Sequence, residues 1–323
     1  MVKISVIQCT RRKEPHFQWA LETLKEQTFP HNDFEYLIVD GLYDQRKEQV
    51  LKIIKDSNVD FPVLYLKDKP SRWKGKRPAL CNARNTGLIF ASGEYICFHD
   101  DNCRLDSRWL ERHAMWMEKG YIVAGNWMSY KDITKEVYHG WEYRSTVLKQ
   151  PTEISGGWLY GGNFGFPIKA ADDVNGFDEY LDGEMGQDDI SFGLRAQRKG
   201  YKIMYDPQCY LEYYYANHGS LMRYKTKLQQ EVEFDVPPVN IKLKDGIEHF
   251  SNEFAIQELL EDREKFWTKG NTINMRGSRE IWKSGVYSME RMYEMMESWV
   301  DGNPIDWRDG KLIADKIKEM EKK

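Results

Sequence analysis

The chain has 323 residues, of which 41% are hydrophobic and 14% aromatic, and its formal net charge is −4. That composition predicts a folded protein with one large domain or two modest ones, and it excludes a disordered chain. The charge excludes an overall attraction to nucleic acid or acidic membranes. No apolar run approaches the roughly 20 residues that a membrane-spanning helix needs.

The cysteines indicate a reducing environment. There are five, an odd number, and none forms a CxxC pair. This usage is typical of free thiols rather than of a disulfide framework or a zinc site. The amino terminus also lacks the charged-then-apolar pattern of a secretory signal. We therefore expect a cytoplasmic location and no transmembrane segment.

The first hundred residues alternate between strand and helix patterns. Apolar runs predict strands at residues 4–9, 35–39, 61–66 and 94–98, and helical spacing predicts helices near 17–24, 45–55 and 78–91. A helix at 108–119 and strands at 121–124 and 164–167 follow. Such alternation predicts an α/β fold with a mainly parallel central sheet flanked by helices.

Polar residues follow several of these strands. Thr10 and Arg12 come after the first strand, Asp40 ends the second, and Asp100 with Asp101 follows the fourth. Ligands of parallel sheets bind beyond the carboxyl ends of the strands. We therefore expect these residues to share one rim and to bind a ligand there.

The sequence His99-Asp100-Asp101-Asn102 is the densest polar cluster. Adjacent carboxylates repel unless a cation or a strong donor lies between them. Their hard oxygen ligands suit Mg²⁺ or Mn²⁺, especially an ion that also holds substrate phosphates. The alternative is an acidic turn that caps the next helix.

A second acidic pair, Asp188 and Asp189, falls in the first turn of a predicted helix. Carboxylates there are favoured by the helix dipole, which is the structural interpretation. The functional interpretation is a general base for an acceptor hydroxyl. The run from Gly156 to Asn163 carries Gly161 and Gly162, which would let backbone approach a ligand closely unless they only form a turn.

Two further features have open interpretations. Residues 67–77 hold six Lys or Arg, which indicates either a solvated loop or contact with a diphosphate or an anionic acceptor. His218 is either structural or a ligand that completes a metal shell made otherwise of oxygens.

Several motifs together resemble the family 2 glycosyltransferases of the GT-A fold. Asn82-Ala-Arg84-Asn85-Thr-Gly87 and the strand that leads to Asp100 are similar to the family's A-R-N-x-G helix and its G-E-Y-I-x-F-x-D-x-D strand. Gly176-Phe177-Asp178-Glu179 resembles its G-F-D-E motif. The resemblance covers about residues 3–220. It implies an inverting transfer of a sugar from a nucleotide-diphosphate donor, a UDP-sugar, with Mn²⁺ or Mg²⁺ as cofactor.

The resemblance also implies roles for single residues. Asp40 would contact the nucleotide base, Asp100 the ribose or the metal, and Asp189 would deprotonate the acceptor. The other implied donor-binding or metal-binding residues are Thr10, Arg12, Arg84, Asp101, Asn102, Gly161, Gly162 and His218. Two positions depart from the family pattern. Asn102 replaces the last acid of D-x-D, so Asp101 would carry more of the metal, and Asp188 replaces a glutamate, so either member of the pair is a candidate base.

We expect a catalytic domain over residues 1–220, divided near 103 into a nucleotide-sugar half and an acceptor half, and a helical extension over 221–323. Helices are expected at 254–266 and 279–299, the second with an apolar stripe that serves as core, as an acceptor groove or as a homodimer face. A nucleotidyltransferase and a non-catalytic glycan-binding relative are the competing functions. The acceptor, whether glycan, lipid-linked sugar, protein or nucleic acid, stays open.

Overall fold

The computed structural model describes residues 2–13, 15–70, 80–132, 134–179, 182, 188–214, 241–242, 248–249 and 275–301. The strands are β1 (Ile4–Thr10), β2 (Phe34–Asp40), β3 (Val63–Lys67), β4 (Tyr95–His99), β5 (Cys103–Leu105), β6 (Ile122–Tyr130), β7 (Val137–Trp141), β8 (Thr152–Ile154), β9 (Asn163–Pro167), β10 (Ile203–Tyr214), β11 (Ile241–Lys242) and β12 (Glu248–His249). The α-helices are α1 (Phe17–Lys25), α2 (Tyr43–Ser57), α3 (Leu80–Phe90), α4 (Trp109–Met117), α5 (Tyr143–Val147), α6 (Ile168–Val174), α7 (Asp188–Arg198), α8 (Met275–Lys283) and α9 (Met289–Asp301).

One mixed sheet organises the described chain. Its strand order is β3-β2-β1-β4-β9-β6-β10-β5, with β7 paired to β6 and β8 paired to β10. The pairs among β1, β2, β3 and β4 are all parallel, and antiparallel pairs begin where β9 joins β4. The expected α/β fold class is therefore confirmed, but the sheet is mixed rather than mainly parallel, because strands β5, β7, β8 and β9 all pair antiparallel to their neighbours.

Register brings the strand ends of the first half to one rim. Thr10 pairs with Asp40, and Asp40 pairs with Lys67 on the next strand. The residues that follow β4 extend this rim, because β4 runs parallel to β1. The predicted gathering of polar residues beyond the carboxyl ends of these strands is present in the structure.

Helix α3 is buried between the sheet and the carboxy-terminal helices. Every residue from Cys81 to Phe90 is buried, so this helix has no solvated face. A side chain at Gly87 would place its Cβ 2.5 Å from Cγ2 of Ile7 on β1. The small residue therefore lets α3 approach the sheet closely, which fixes the position of the polar side chains that α3 carries.

The helix predicted over residues 279–299 is two helices. Helix α8 ends at Lys283, and Gly285 adopts a φ of +66°, a left-handed conformation that ends a helix at little cost for glycine. The buried members of the apolar stripe are Ile281, Met292 and Met296, which belong to the same core as α3. The stripe thus packs as core, while a homodimer face stays a prediction. The helix predicted at 254–266 lies outside the described residues.

The carboxy-terminal pair is joined to the first half by specific polar contacts. Trp282 donates its indole N–H to the carbonyl of Phe90 at 3.1 Å, and the Tyr293 hydroxyl donates to the carbonyl of Lys67. Arg279 bonds the carboxylate of Asp172 on α6.

Within the described residues, no helix combines the length and the apolar character that a membrane span requires.

Candidate functional site

The rim after β1 and β4 is tied together through Asp101. Its Oδ2 accepts a hydrogen bond from the Thr10 hydroxyl at 2.7 Å, and its Oδ1 accepts from Nε of Arg12 at 2.6 Å. Asp101 is 7% exposed. Three predicted site residues from two strands are therefore in contact, and both oxygens of Asp101 are used in holding the rim.

Asp40 at the end of β2 is fully buried and fully bonded. Arg46 on α2 donates to both of its oxygens at 2.6 and 2.7 Å. The Tyr65 hydroxyl adds a bond of 2.7 Å and the Leu42 amide one of 2.8 Å. Four N–H or O–H donors saturate this carboxylate. Asp40 is therefore better placed to hold Arg46 in position than to contact a nucleotide base directly. The predicted contact of Asp40 with the base stays a prediction.

Asp100 occupies a different environment beside the glycine loop. Its amide donates to the carbonyl of Gly162 at 3.4 Å, and its Oδ2 would lie 3.5 Å from a Cβ built on that glycine. Burial raises the pKa of the Asp100 carboxyl to about 6, against the attraction of Arg84 and a hydrogen bond from Tyr213. The Asp100 carboxyl therefore lies beside Gly162, where the lack of a side chain leaves space open.

Asn102 is hydrogen-bonded to Tyr214, the last residue of strand β10. Its side-chain N–H donates to the carbonyl of Tyr214 at 3.2 Å, and its backbone carbonyl accepts from the Tyr214 amide at 2.9 Å. Its Oδ1 is buried and accepts no hydrogen bond from any described residue. A buried amide oxygen without a donor is costly, so this atom is a candidate for binding a cation or a ligand donor.

The residues present fit a hard divalent ion only in company with a substrate. Carboxylate and amide oxygens of Asp100 and Asn102 are the donor types that Mg²⁺ and Mn²⁺ take. In the described part of the chain, no three His, Cys, Asp or Glu residues gather as a metal site. Mg²⁺ sites commonly use one or two carboxylates and complete the shell with phosphates and water. His218, the other predicted ligand, lies outside the described residues.

The second acidic pair begins helix α7, as predicted, and its two members have different partners. Asp188 forms a buried ion pair with Nη1 of Arg84. Nη2 of the same guanidinium donates to the carbonyl of Gly161 at 3.1 Å. Arg84 therefore links Asp188 to the glycine loop, and the charge of Asp188 is neutralised by a direct cation.

Asp189 bonds backbone amides instead of a guanidinium. Its Oδ2 accepts from the N–H of Gly161, and its Oδ1 accepts from the N–H of Ile190 at 2.8 Å. A Cβ on Gly161 would lie 2.9 Å from Oδ2 of Asp189, so any larger residue there would disturb this contact. Glycine at this position is thus required for the close approach of loop and carboxylate.

The two acidic clusters are therefore neighbours. Asp100 lies against Gly162, and the preceding Gly161 bonds both Asp189 and Arg84. The guanidinium of Arg84 lies against an aromatic cluster, 5.2 Å from the ring centroids of both Phe164 and Phe177. Residues that are distant in sequence thus meet at one edge of the sheet.

The motif that follows β9 and α6 holds helix α3 in place. Asn85 accepts from the Phe177 amide at 2.8 Å and donates to the Phe177 carbonyl at 2.8 Å. Asp182 accepts from the amides of Cys81 and Asn82 at 2.8 and 3.2 Å and so caps the first turn of α3. Burial, with the charge of Glu179 second, raises the pKa of Asp182 to about 7.

The predicted basic loop is only partly described. Lys67 pairs with Asp44, and the buried Lys69 pairs with Glu179 at 2.6 Å. Residues 71–79 lie outside the described residues. Both described lysines therefore have acidic partners, Lys67 at the surface and Lys69 in the interior.

The sequence interpretation missed the residues that build the wall beside the glycine loop. Arg144 is fully buried and donates to the carbonyls of Trp158 and Gly125 at 2.7 and 2.8 Å. Its guanidinium lies 4.4 Å from the ring centroid of Tyr160, and a Cβ on Gly162 would be 3.9 Å from Trp127. The signal available was Glu142 two residues before Arg144, but nothing in the sequence indicated that the pair is buried.

The geometry combines a carboxyl facing a glycine-lined space with a second carboxylate across the same loop. Such an arrangement can hold a ligand against backbone and take a proton from a hydroxyl placed beside it. Asp100 and Asp189 are the two acids that the loop separates, with Gly162 and Gly161 between them.

Comparison with known proteins is consistent with this geometry. The family model for glycosyl transferase family 2 matches residues 5–175. Glycosyltransferase AglE of Haloferax volcanii is 25% identical over 109 residues, which are 34% of this chain and 33% of that protein. The chain thus matches about a third of the length of this curated relative.

Solved structures share the fold at low sequence identity. Staphylococcus aureus TarS superimposes with a TM-score of 0.51 at 15% identity, covering 97% of this chain and 54% of that chain. TarS 1-349 in complex with UDP gives a TM-score of 0.52 at 14% identity, covering 98% of this chain and 92% of that chain. Mannosyltransferase PcManGT from Pyrobaculum calidifontis, in complex with GDP-Man and Mn²⁺, gives 0.50 at 16% identity, covering 98% and 87%.

Proposed function

This chain belongs to glycosyl transferase family 2 and has the GT-A fold, and we propose that it moves a sugar from a UDP-sugar to an acceptor hydroxyl with inversion at the anomeric carbon. The observation that carries the proposal is the contact of Asp189 with the glycine loop that lies against Asp100. Because one loop separates the two carboxyls, a donor held beside Asp100 has its sugar facing Asp189.

On the donor side, the rim residues bind and orient the nucleotide. Thr10 and Arg12 fix Asp101, which keeps the loop after β4 in place. Asp100 and Asn102 would supply the oxygen ligands for a divalent ion, with His218 as a further ligand. When bound, such an ion stabilises the negative charge that develops on the leaving diphosphate. UDP and Mn²⁺ in the structures of TarS and PcManGT support this assignment.

On the acceptor side, Asp189 acts as the general base. Its carboxylate takes the proton from the acceptor hydroxyl while that oxygen forms a bond to the anomeric carbon. The bond from that carbon to the diphosphate oxygen breaks with its electron pair on the departing UDP. Because the attack comes from the face opposite the leaving group, the configuration inverts. Asp188 is ion-paired with Arg84, which supports a positioning role for it.

The contacts of the other predicted donor-binding residues suggest how each of them would act. Arg84 holds the Gly161 carbonyl, which orients the loop against the donor sugar. Asp40 orients Arg46, and the base would then meet this pair rather than an isolated carboxylate. The five cysteines are free thiols, which supports a cytoplasmic setting.

A panel of UDP-sugars and GDP-sugars tests the proposal. We expect the protein to hydrolyse one UDP-sugar slowly and to release UDP. This hydrolysis should stop in EDTA and resume when Mn²⁺ is added. Turnover that continues in EDTA would contradict the metal role, and preference for a GDP-sugar would contradict the assignment of UDP. Pyrophosphate released from a nucleoside triphosphate would indicate the competing nucleotidyltransferase, and absence of metal-dependent UDP binding in calorimetry would indicate a non-catalytic relative.

A further inference from the structure

A line of aromatic side chains crosses the surface beside the site and takes no part in the mechanism above. We call it the aromatic track, and it consists of His16, Trp19, Tyr214, Tyr130, Tyr210 and Trp141. Its members come from the start of α1 and from the neighbouring strands β6, β7 and β10.

The first part of the track runs from α1 to the sheet. His16 stacks on Trp19 with ring centroids 3.9 Å apart and planes 11° from parallel. Trp19 lies 5.0 Å from Tyr214, and Tyr214 lies 5.7 Å from Tyr130. Tyr214 is buried beneath the others, so it supports the rings that are accessible on either side.

The second part continues to the edge hairpin. Tyr130 shares a side-chain hydrogen bond with Tyr210, and the ring of Tyr210 lies 5.5 Å from that of Trp141. Trp141 is 50% exposed, and Tyr138 on the same short strand is 48% exposed. A contiguous group of exposed apolar side chains, unlike single scattered ones, marks a binding site. The rings therefore form a continuous series that ends in exposed faces.

Strand register explains why the rings line up. Tyr130 and Tyr214 are partners in the parallel pair β6–β10, and Met128 is the partner of Trp141 in the pair β6–β7. Side chains of register partners lie on the same face of a sheet. The track is thus fixed by backbone pairing and does not need a ligand to assemble it.

The charges around the track are paired with one another. Lys135 bonds Glu212, and Lys131 bonds Glu136 at 3.2 Å. The Tyr214 hydroxyl donates to the second oxygen of Glu212 at 2.6 Å. A surface that binds acidic membranes carries an excess of basic side chains, whereas here each of these lysines has an acid beside it. The surroundings suit an uncharged ligand rich in hydroxyl groups.

The track is also continuous with the site. The amide of Tyr214 bonds the carbonyl of Asn102 at 2.9 Å, and Asn102 follows directly on Asp100 and Asp101. The track therefore begins next to the loop that carries Asp100 and continues away from it along β10 to Tyr210.

We propose that the aromatic track binds the extended part of an uncharged oligosaccharide acceptor, with the apolar C–H faces of its sugar rings stacked on Trp141 and Tyr210. The acceptor assignment rests on the proposed glycosyl transfer, whereas the binding of the glycan itself does not. Polar groups such as Glu212 and Lys135 at the border of the track would bond the sugar hydroxyls. This names a glycan as the acceptor class.

Affinity electrophoresis of the full chain, without donor nucleotide, tests the proposal. The probes are gels containing galactomannan, hydroxyethyl cellulose, xylan or soluble starch. We expect at least one of these polysaccharides to slow the wild-type protein. We expect Trp141→Ala to weaken that binding about fivefold or more, the scale of losing one aromatic stacking contact. Because no donor is present, failure of the donor chemistry cannot mimic failure of glycan binding.

Val147→Ala is the matched control, since Val147 is 49% exposed on the neighbouring helix α5 and contributes no ring. It should bind like the wild type, and all three proteins should unfold at the same temperature. Absence of retardation in every gel would overturn the proposal, as would equal retardation of Trp141→Ala and the wild type. A change in sedimentation of Trp141→Ala without any retardation by polysaccharide would identify the track as a protein-binding surface and would also overturn it.

Discussion

The rim at β1 and β2 and the junction of α3 with α7 both bring carboxylates to the site, but they bond these acids differently. At the rim, Asp40 is paired with Arg46 and Asp101 with Arg12. At the junction, Asp189 is bonded to backbone N–H groups. The first region therefore neutralises its acids with guanidinium groups, whereas the second includes an acid, Asp189, that forms no ion pair with a described residue.

This difference separates positioning from chemistry. A carboxylate saturated by an arginine is a rigid contact that loses much of its basicity. A carboxylate held only by backbone N–H groups has no guanidinium between it and an approaching hydroxyl, which is the geometry that the proposed base needs. The two adjacent acids Asp188 and Asp189 repeat the contrast within one helical turn, because only Asp188 is paired with Arg84.

Replacing Asp189 by asparagine should have the largest effect, because it tests whether the amide-bonded acid is the general base. The amide oxygen of asparagine can still accept the Gly161 N–H, so the loop should keep its place, but the side chain can no longer take a proton. We expect kcat to fall by about 10²–10⁴, the usual contribution of a general base. The affinity for UDP and the unfolding temperature should change little. Steady-state kinetics, calorimetry and thermal unfolding measure the three quantities.

Full activity of Asp189→Asn would reject this residue as the base. Loss of UDP binding in parallel with activity would instead show that Asp189 supports the donor site. The paired measurement therefore distinguishes a proton acceptor from a residue that only holds the loop.

Replacing Asp188 by asparagine should act mainly on stability. Arg84 would remain buried without its counter-charge, and removal of one partner from a buried ion pair typically costs about 3–5 kcal/mol. Unfolding in urea measures this loss. Glu294→Gln is the control, because its pair with Arg291 is exposed on both sides and should contribute less than about 1 kcal/mol. Similar losses in the two variants would show that Asp188 and Arg84 are not a buried pair.

Much of the first half could be predicted because its signals are local. Short apolar runs and helical spacing indicated β1 to β4 and α1 to α3, and the shared rim followed from parallel pairing. The sequence could not show which acids are saturated. The donors to Asp40 come from α2 and from Tyr65 on β3, and only folding brings them together.

The second half was harder to predict because its contacts are not local. The strand expected at 121–124 is the start of β6, but the aromatic residues Tyr130, Tyr138 and Trp141 further along the β6–β7 hairpin indicated neither a strand nor a turn. The prediction of a single helix at 279–299 was wrong, because Gly285 has a left-handed conformation that ends the first helix although the apolar stripe continues beyond it. Periodicity alone cannot detect a break when both helices bury the same face.

Asp182, whose described hydrogen-bond donors are backbone amides, offers the smallest of these tests. Burial raises its pKa to about 7, well above the value of roughly 3.9 for an unfolded chain. Between these values the folded state holds a proton on Asp182 that the unfolded state has released, so the contribution of Asp182 to stability should fall as pH rises from about 4 to 7.

Asp182→Asn removes this titration, so the difference in unfolding free energy between wild type and variant isolates it. We expect that difference to move against the wild type by up to about 1.4 kcal/mol per pH unit within this window, and to level off above pH 7. Urea unfolding of both proteins at several pH values measures it, and the other titrating groups cancel. Parallel curves would mean that Asp182 is ionised in the folded protein, and that its two amide bonds to the start of α3 are enough to offset its burial.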